Sequence, residues 1–203
     1  MLVRFRARNP DLRVEFIQLP WGEQIDRLLA GNVDAVLARP PFPADSPVDA
    51  ATVYREPRVA GLRAGSALAD RGSVLLGDLD GIPVALARGV TREWTDYWAV
   101  DPRPNGVPVV RGPLISTIEE ALTAVTMEST VFITAESVGT RYSHPGVLYL
   151  PVDDIPWCRV QLCTRWGDRR AGVLALPSAA KEPRDPPTHR PSAASSSVST
   201  SPR

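Results

Sequence analysis

Cysteine and histidine are nearly missing from this chain of 203 residues, which holds two of each: Cys158, Cys163, His144 and His189. A structural or catalytic metal site normally draws on clustered thiolates and imidazoles, so the sequence offers almost no ligands for one. Cys158 and Cys163 are an odd number of residues apart in one predicted strand, which puts them on opposite faces. A mutual disulfide is therefore not expected, and both read as small packed hydrophobes. An excess of either charge is also lacking. Lys and Arg together number 23, as do Asp and Glu, so no global field draws the chain to nucleic acid or anionic lipid. No apolar run approaches the roughly 18–20 residues of a membrane span. The opening MLVRFRARNP has neither an apolar core nor a small-residue cleavage site, so a cytoplasmic protein is expected. Neither Gly61–Gly65 nor Gly77–Gly81 has phosphate-loop spacing, and no cofactor is implied.

What is present is organised. Proline is abundant, with 21 residues against an ordinary share of about 5%. Leu12 to Pro41, LRVEFIQLPWGEQIDRLLAGNVDAVLARPP, reads as a strand–helix–strand unit. Residues 13–19 suit a strand, and Pro20 ends it because it cannot donate a ladder hydrogen bond. Trp21, Ile25, Leu28 and Leu29 then form a helical stripe, with Gly31-Asn32 as its stop. Val33–Ala38 is a second strand, and two strands joined this way are expected to be parallel.

Further along, prolines break 40–51 into a loop, and Val53-Tyr54 and Arg58–Leu62 read as extended. Leu75–Leu79 reads as a short turn-like piece and Ile82–Ala87 as a strand. Glu93–Trp98 is a short helix whose Trp94, Tyr97 and Trp98 share a face, read as a core face. Val109-Val110 is extended. Ser116-Thr117-Ile118-Glu119 matches a capping box, predicting a helix over 117–127 capped by Ser116. Thr130–Thr134, Val147–Leu150 and Arg159–Arg165 are strands, and Ala135–Thr140 begins a helix. Alternating strands and helices predict an α/β fold. From Pro177 the composition collapses: the last 27 residues contain six prolines and seven serines. Such a segment buries too little apolar surface to offset its ordering entropy, so 177–203 is expected to be a disordered tail.

The run RFRARNPDLRVEFIQLPWGEQIDRLLAGNVDAVLARPP resembles the start of the effector-binding domain of LysR-type transcriptional regulators. Arg55–Ala87, Arg92–Pro108 and Ser116–Val138 resemble its later parts in order and spacing, so the resemblance covers about 2–176. It implies a two-lobed fold like that of type 2 periplasmic binding proteins. Residues 1–57 and 151–176 would form lobe I and 58–150 lobe II, with a small-molecule effector between them. Crossovers are expected near Pro57-Arg58 and Leu150-Pro151. The sequence departs from the family in lacking the helix-turn-helix, the linker helix and the domain's first strand, which reads as a truncated relative. Glu128-Ser129-Thr130 replaces a glycine-bearing turn, and Gly172 and Pro177 interrupt the expected last helix.

Placed on that frame, Arg39 would project into the cleft and pair with an anionic effector, or else be an exposed loop arginine. Ser116 and Thr117 begin a helix whose N-terminus favours anions, or they simply cap it. Thr134 ends a strand at the same cleft or caps the next helix, and Ala87 and Arg88 line the opposite wall. The function implied is sensing of a small, anionic metabolite by a domain that makes no DNA contact itself. Three rivals stand beside it. A stand-alone solute-binding protein shares the fold but needs export. A dimerisation module would pair with a second copy or a full-length relative through lobe I. A serine hydrolase is suggested by Ala135-Glu136-Ser137-Val138-Gly139 with Asp153 or Asp154 and His189, although His189 lies in the Pro/Ser tail.

Overall fold

Residues 13–19 have the alternation of a strand but make no strand in the computed structural model, which describes residues 2–43 and 45–180. A ladder needs a neighbour, and no described strand pairs with this segment. It lies on the surface, with Phe16 72% and Ile17 51% exposed. It is held by Arg6 Nη2, which donates to Val14 O at 3.1 Å, and by Leu19, which packs on the core cluster around Leu28 and Val36. The expected parallel pair is consequently absent. The strand that follows, β1 (Ala35–Ala38), runs antiparallel to β8 (Cys158–Arg165), with Ala35 opposite Thr164 and Ala38 opposite Gln161. A pairing contributed from 120 residues away is set by tertiary packing, which local periodicity does not encode.

The helix between is shorter than its apolar stripe suggests. After α1 (Leu2–Arg8), α2 spans Gln24–Leu29 and buries Ile25 and Leu28. Trp21 is left outside it in a turn, because Gly22 takes a φ of 78° that breaks helical geometry. The first sheet has the order β1-β8-β2, where β2 is Val48–Glu56. Helix α6 (Ala171–Ala180) packs against α1 and β8 and runs through both Gly172 and Pro177, where an interruption is expected. Gly172 sits in the first turn, where helix propensity matters least. The tail expected from 177 otherwise lies outside the described residues.

The chain crosses at Pro57 into a second sheet. It consists of β3 (Arg58–Arg63), β4 (Val84–Ala87), β5 (Arg111–Ile115), β6 (Phe132–Ala135) and β7 (Val147–Pro151). β3 lies between β6 and β7, antiparallel to both, and β4 pairs parallel with β5. Hydrogen bonds from Ala85 to Val131 (2.8 Å) and from Val131 to Pro83 (2.9 Å) join β4 alongside β6. The whole reads β5-β4-β6-β3-β7. Gly61 in β3 is required by close approach, since a Cβ there would overlap the Phe132 ring. Packed on this sheet are α3 (Arg92–Ala99), α4 (Ile118–Glu128) and α5 (Glu136–Arg141). Ala121, Leu122 and Val125 of α4 join Phe132 and Ile115 in one buried cluster.

Helix α4 corrects the capping register. Its N-cap is Thr117, whose hydroxyl accepts the Glu120 N–H at 3.2 Å, and Glu120 Oε2 accepts the Ser116 N–H at 2.6 Å. Thr117-Ile118-Glu119-Glu120 carries the same box pattern one residue later. That register is the one that turns Ala121, Leu122 and Val125 inward, so burial decides between them. At its other end Ser129, where the sequence lacks a glycine, adopts φ 54° and ψ 37°.

Cys158 and Cys163 are free, fully buried, and sit in separate clusters, one with Trp98 and Ala135 and one with Leu28 and Val36. Burial pushes both thiols up to about 11 from an ordinary 9.0. The folded chain therefore holds these protons where the unfolded chain has shed them. Stability is fully present below pH 9 and falls as pH rises toward 11. Burial also pushes Tyr54, Tyr97 and Tyr149 above their ordinary 10.0, so these phenols add to the loss in the same direction. Urea midpoints measured from pH 8 to 11 are expected to fall with the unfolding slope unchanged. Ser129→Gly is expected to stabilise the exposed left-handed cap by about 1 kcal/mol, read as a raised urea midpoint.

Candidate functional site

Between the two sheets lies a cavity of about 580 Å³. Its walls come from segment ends: Gln18–Trp21 and the end of β1 on one side, the end of β4 and the start of α4 on the other, and β6 as floor. Of the residues singled out from sequence, Arg39, Ala87, Ser116, Thr117 and Thr134 all line it. Arg88 does not. It is exposed just beyond Ala87, and its backbone N–H donates to Ile115 O at 2.8 Å.

Arg39 already has an anion. Glu56, the last residue of β2 and 5% exposed, accepts through Oε1 from Arg39 Nε (3.1 Å) and Nη2 (2.5 Å). Its Oε2 accepts the Ser137 backbone N–H at 2.8 Å, and Arg39 Nη2 also donates to Ser137 Oγ at 3.0 Å. Both Arg39 and Glu56 belong to the first sheet, while Ser137 opens α5 on the second, so this node ties the lobes together. Burial alone pulls the Arg39 pKa down, but the charge and hydrogen bonds of Glu56 outweigh it and leave it above the ordinary guanidinium value. A second anchor lies nearby. Arg58, 3% exposed, donates to Pro156 O (3.0 Å) and Tyr97 O (2.8 Å) and lies over the Tyr97 ring at 4.6 Å.

The hydroxyl of Ser137 therefore faces a guanidinium, which cannot act as a general base. Asp153 accepts from Ser73, and Asp154 accepts the Leu76 N–H at 2.8 Å, so both carboxylates are engaged away from Ser137. His189 lies outside the described residues. A triad is not assembled among those described, nor do three metal-ligating side chains gather there.

Sequence reasoning missed the aromatic wall. Trp21 from the first lobe stacks on Trp94 of α3, with centroids 6.3 Å apart and planes at 25°, and Trp94 contacts Trp98 at 5.7 Å. All three line the cavity. Beside them Gly22 lies so close to Val90 that a Cβ would sit 3.0 Å from its Cγ1. At helical spacing these tryptophans look like core residues, and only the turn at Gly22 reveals otherwise. At the opposite end, the backbone N–H groups of Thr117, Ile118 and Glu119 open α4 and have no partner among the described residues. They are the orphan donors that every helix start leaves, and here they border a cavity.

Paired open α/β sheets with a cleft at their strand ends define a class of two-lobed ligand-binding domains. The family model described as the LysR substrate binding domain matches residues 1–181, and the chain belongs to that family. Solved structures agree on the fold. The BenM effector binding domain with its effector benzoate matches with a TM-score of 0.74 at 16% identity, over 88% of this chain and 82% of that one. Full-length CbnR complexed with its target DNA matches at 0.73 and 16% identity, over 89% of this chain and 65% of that one. HinK, a LysR family regulator from Pseudomonas aeruginosa, matches at 0.71 and 14% identity, over 89% and 64%. The chain thus spans just under two thirds of these full-length regulators. No curated protein matches the sequence. The fold is the two-lobed, periplasmic-binding-protein-like one of LysR effector-binding domains.

Breaking the interlobe node tests its weight. Arg39→Ala leaves the buried Glu56 carboxylate with only the Ser137 N–H and is expected to cost about 3 kcal/mol in a urea denaturation. Replacing both residues by Met is expected to cost less than the single change.

Proposed function

We propose that this chain is the sensing part of a cytoplasmic LysR-type regulator and that it binds a small-molecule effector in the interlobe cleft. The observation that carries this reading is the set of unpaired N–H donors at residues 117–119, which border a cavity with an aromatic wall. Thr117 and Glu119 are exposed and Ile118 half-buried, so water satisfies these donors in the free protein and an oxygen of a bound molecule takes its place. Thr117, Ser116 and Thr134 add hydroxyls within the same walls, and Gln18 adds an amide. Ala87 shapes the wall, while Arg88 stands at the rim. Arg39 serves as a hinge anchor that sets the lobe spacing. The function is binding without catalysis. The neutral overall charge supports a division of labour in which this domain senses and another part of a regulator contacts DNA.

A second role rests on the exposed apolar side chains of lobe I. Phe16 and Ile17 on the ladderless segment favour association with a second copy or a full-length relative through that face. A clean monomer at high concentration in size-exclusion chromatography with light scattering counts against this role.

The sensing role is tested by deleting one donor without breaking the helix. Ile118 is the first helical residue, where proline is tolerated, and Thr117 before it is already extended. Ile118→Pro removes one N–H, and Ile118→Ala controls for lost packing. Using a compound selected by thermal shift from a metabolite panel, Ile118→Pro is expected to weaken binding about tenfold beyond Ile118→Ala. Equal affinities for the two variants contradict the role given to these donors. A panel in which nothing raises the melting temperature contradicts the sensing reading itself.

A further inference from the structure

We infer that the cleft selects a ligand carrying a flat ring and a net charge of zero or above, and disfavours carboxylates. The inference rests on the sensing role proposed above and names the chemistry of that same site. Its first ground is the charge inventory of the cavity. Only two of the side chains lining it are ionised, Arg39 and Glu119. The Arg39 cation is compensated by Glu56 at 2.5 Å, and its other contact is the Ser137 hydroxyl. An incoming carboxylate has to compete with a buried protein carboxylate that already holds two of the guanidinium's hydrogen bonds. Glu119 has no compensating partner among the described residues, and Glu120 adds a second carboxylate to the same first turn of α4. These two charges offset the positive end of the helix dipole, which is the usual reason a helix N-terminus attracts anions. The free N–H groups of 117–119 remain good donors, so they suit a neutral carbonyl or hydroxyl oxygen. Arg88 lies outside the cavity wall.

The second ground is the aromatic wall. Trp21, Trp94 and Trp98 all line the cavity, and Tyr142 joins them. Aromatic rings in a cavity wall attract flat rings by stacking and cations by their quadrupoles, and they repel anions. Both grounds point the same way, and they reverse the anionic preference that Arg39 suggests when read from sequence alone.

An isosteric series separates charge from shape: benzoate, benzamide and benzamidine, carrying negative, zero and positive charge on one ring. Binding to the intact chain is followed by thermal shift and by tryptophan fluorescence. Benzamide and benzamidine are expected to bind about tenfold or more tightly than benzoate. Glu119→Gln is expected to reduce the advantage of benzamidine over benzamide severalfold. Trp94→Leu is expected to weaken both. Benzoate binding most tightly overturns the charge assignment and leaves the cleft as the sensing site. Failure of all three at millimolar concentration, while other panel compounds bind, overturns the flat-ring assignment. Failure of these and of the whole metabolite panel overturns the sensing role instead. Should Trp94→Leu fail to fold, Trp21→Leu, from a surface turn, supplies the same comparison.

Discussion

The ion pair between Arg39 and Glu56, with Ser137 across from it, is the constraint on which the rest of the cleft depends. Its three members come from the ends of β1 and β2 in one lobe and the start of α5 in the other. None is adjacent to another in sequence, and each is brought in because a strand ends or a helix begins at the cleft. Holding Glu56 by two guanidinium bonds and one backbone N–H removes two charges from the cavity together. It also fixes the spacing between the sheets. The space left over is lined by neutral groups, three tryptophans and one end of a helix that carries the Glu119 carboxylate.

That arrangement explains why a site with an arginine in it need not be a site for anions. A guanidinium is an anion receptor only while its own protein leaves it unpaired. Once it is satisfied internally it becomes part of the wall, and the ligand chemistry passes to the residues that remain unsatisfied. Here those are the first backbone N–H groups of α4 and the faces of Trp21, Trp94 and Trp98. The same reasoning separates this chain from a hydrolase. Ser137 has the sequence surroundings of a nucleophile, but its hydroxyl is held by a cation and its N–H by a carboxylate, which makes it a structural bridge.

Much of the fold was legible where local chemistry decides it. The helices at 92–99 and 118–128 follow from apolar spacing and capping residues, and β3, β4, β7 and β8 from short apolar runs between turns. What was not legible depends on partners distant in sequence. Residues 13–19 have strand composition, yet a strand exists only against another strand, and no described one lies beside them. The antiparallel pairing of β1 with β8 is invisible to a reading confined to residues 12–41. Thr117 replaced Ser116 as the cap because both satisfy the motif and only burial of Ala121 and Val125 distinguishes them. Arg39, Ser116, Thr117 and Thr134 were placed at the cleft because they sit at the ends of elements, which sequence does reveal. Glu56 and the tryptophans were missed because a carboxylate before a proline and an aromatic at helical spacing both have commoner explanations.

Amide hydrogen exchange resolved to residues 117–119 and 137, with and without a bound compound, tests the account most directly. The account predicts rapid exchange at 117–119 in the free protein and strong slowing on binding, with residue 137 slow in both states. Protection that is unchanged at 117–119, or gained at 137, would place the ligand elsewhere and contradict it.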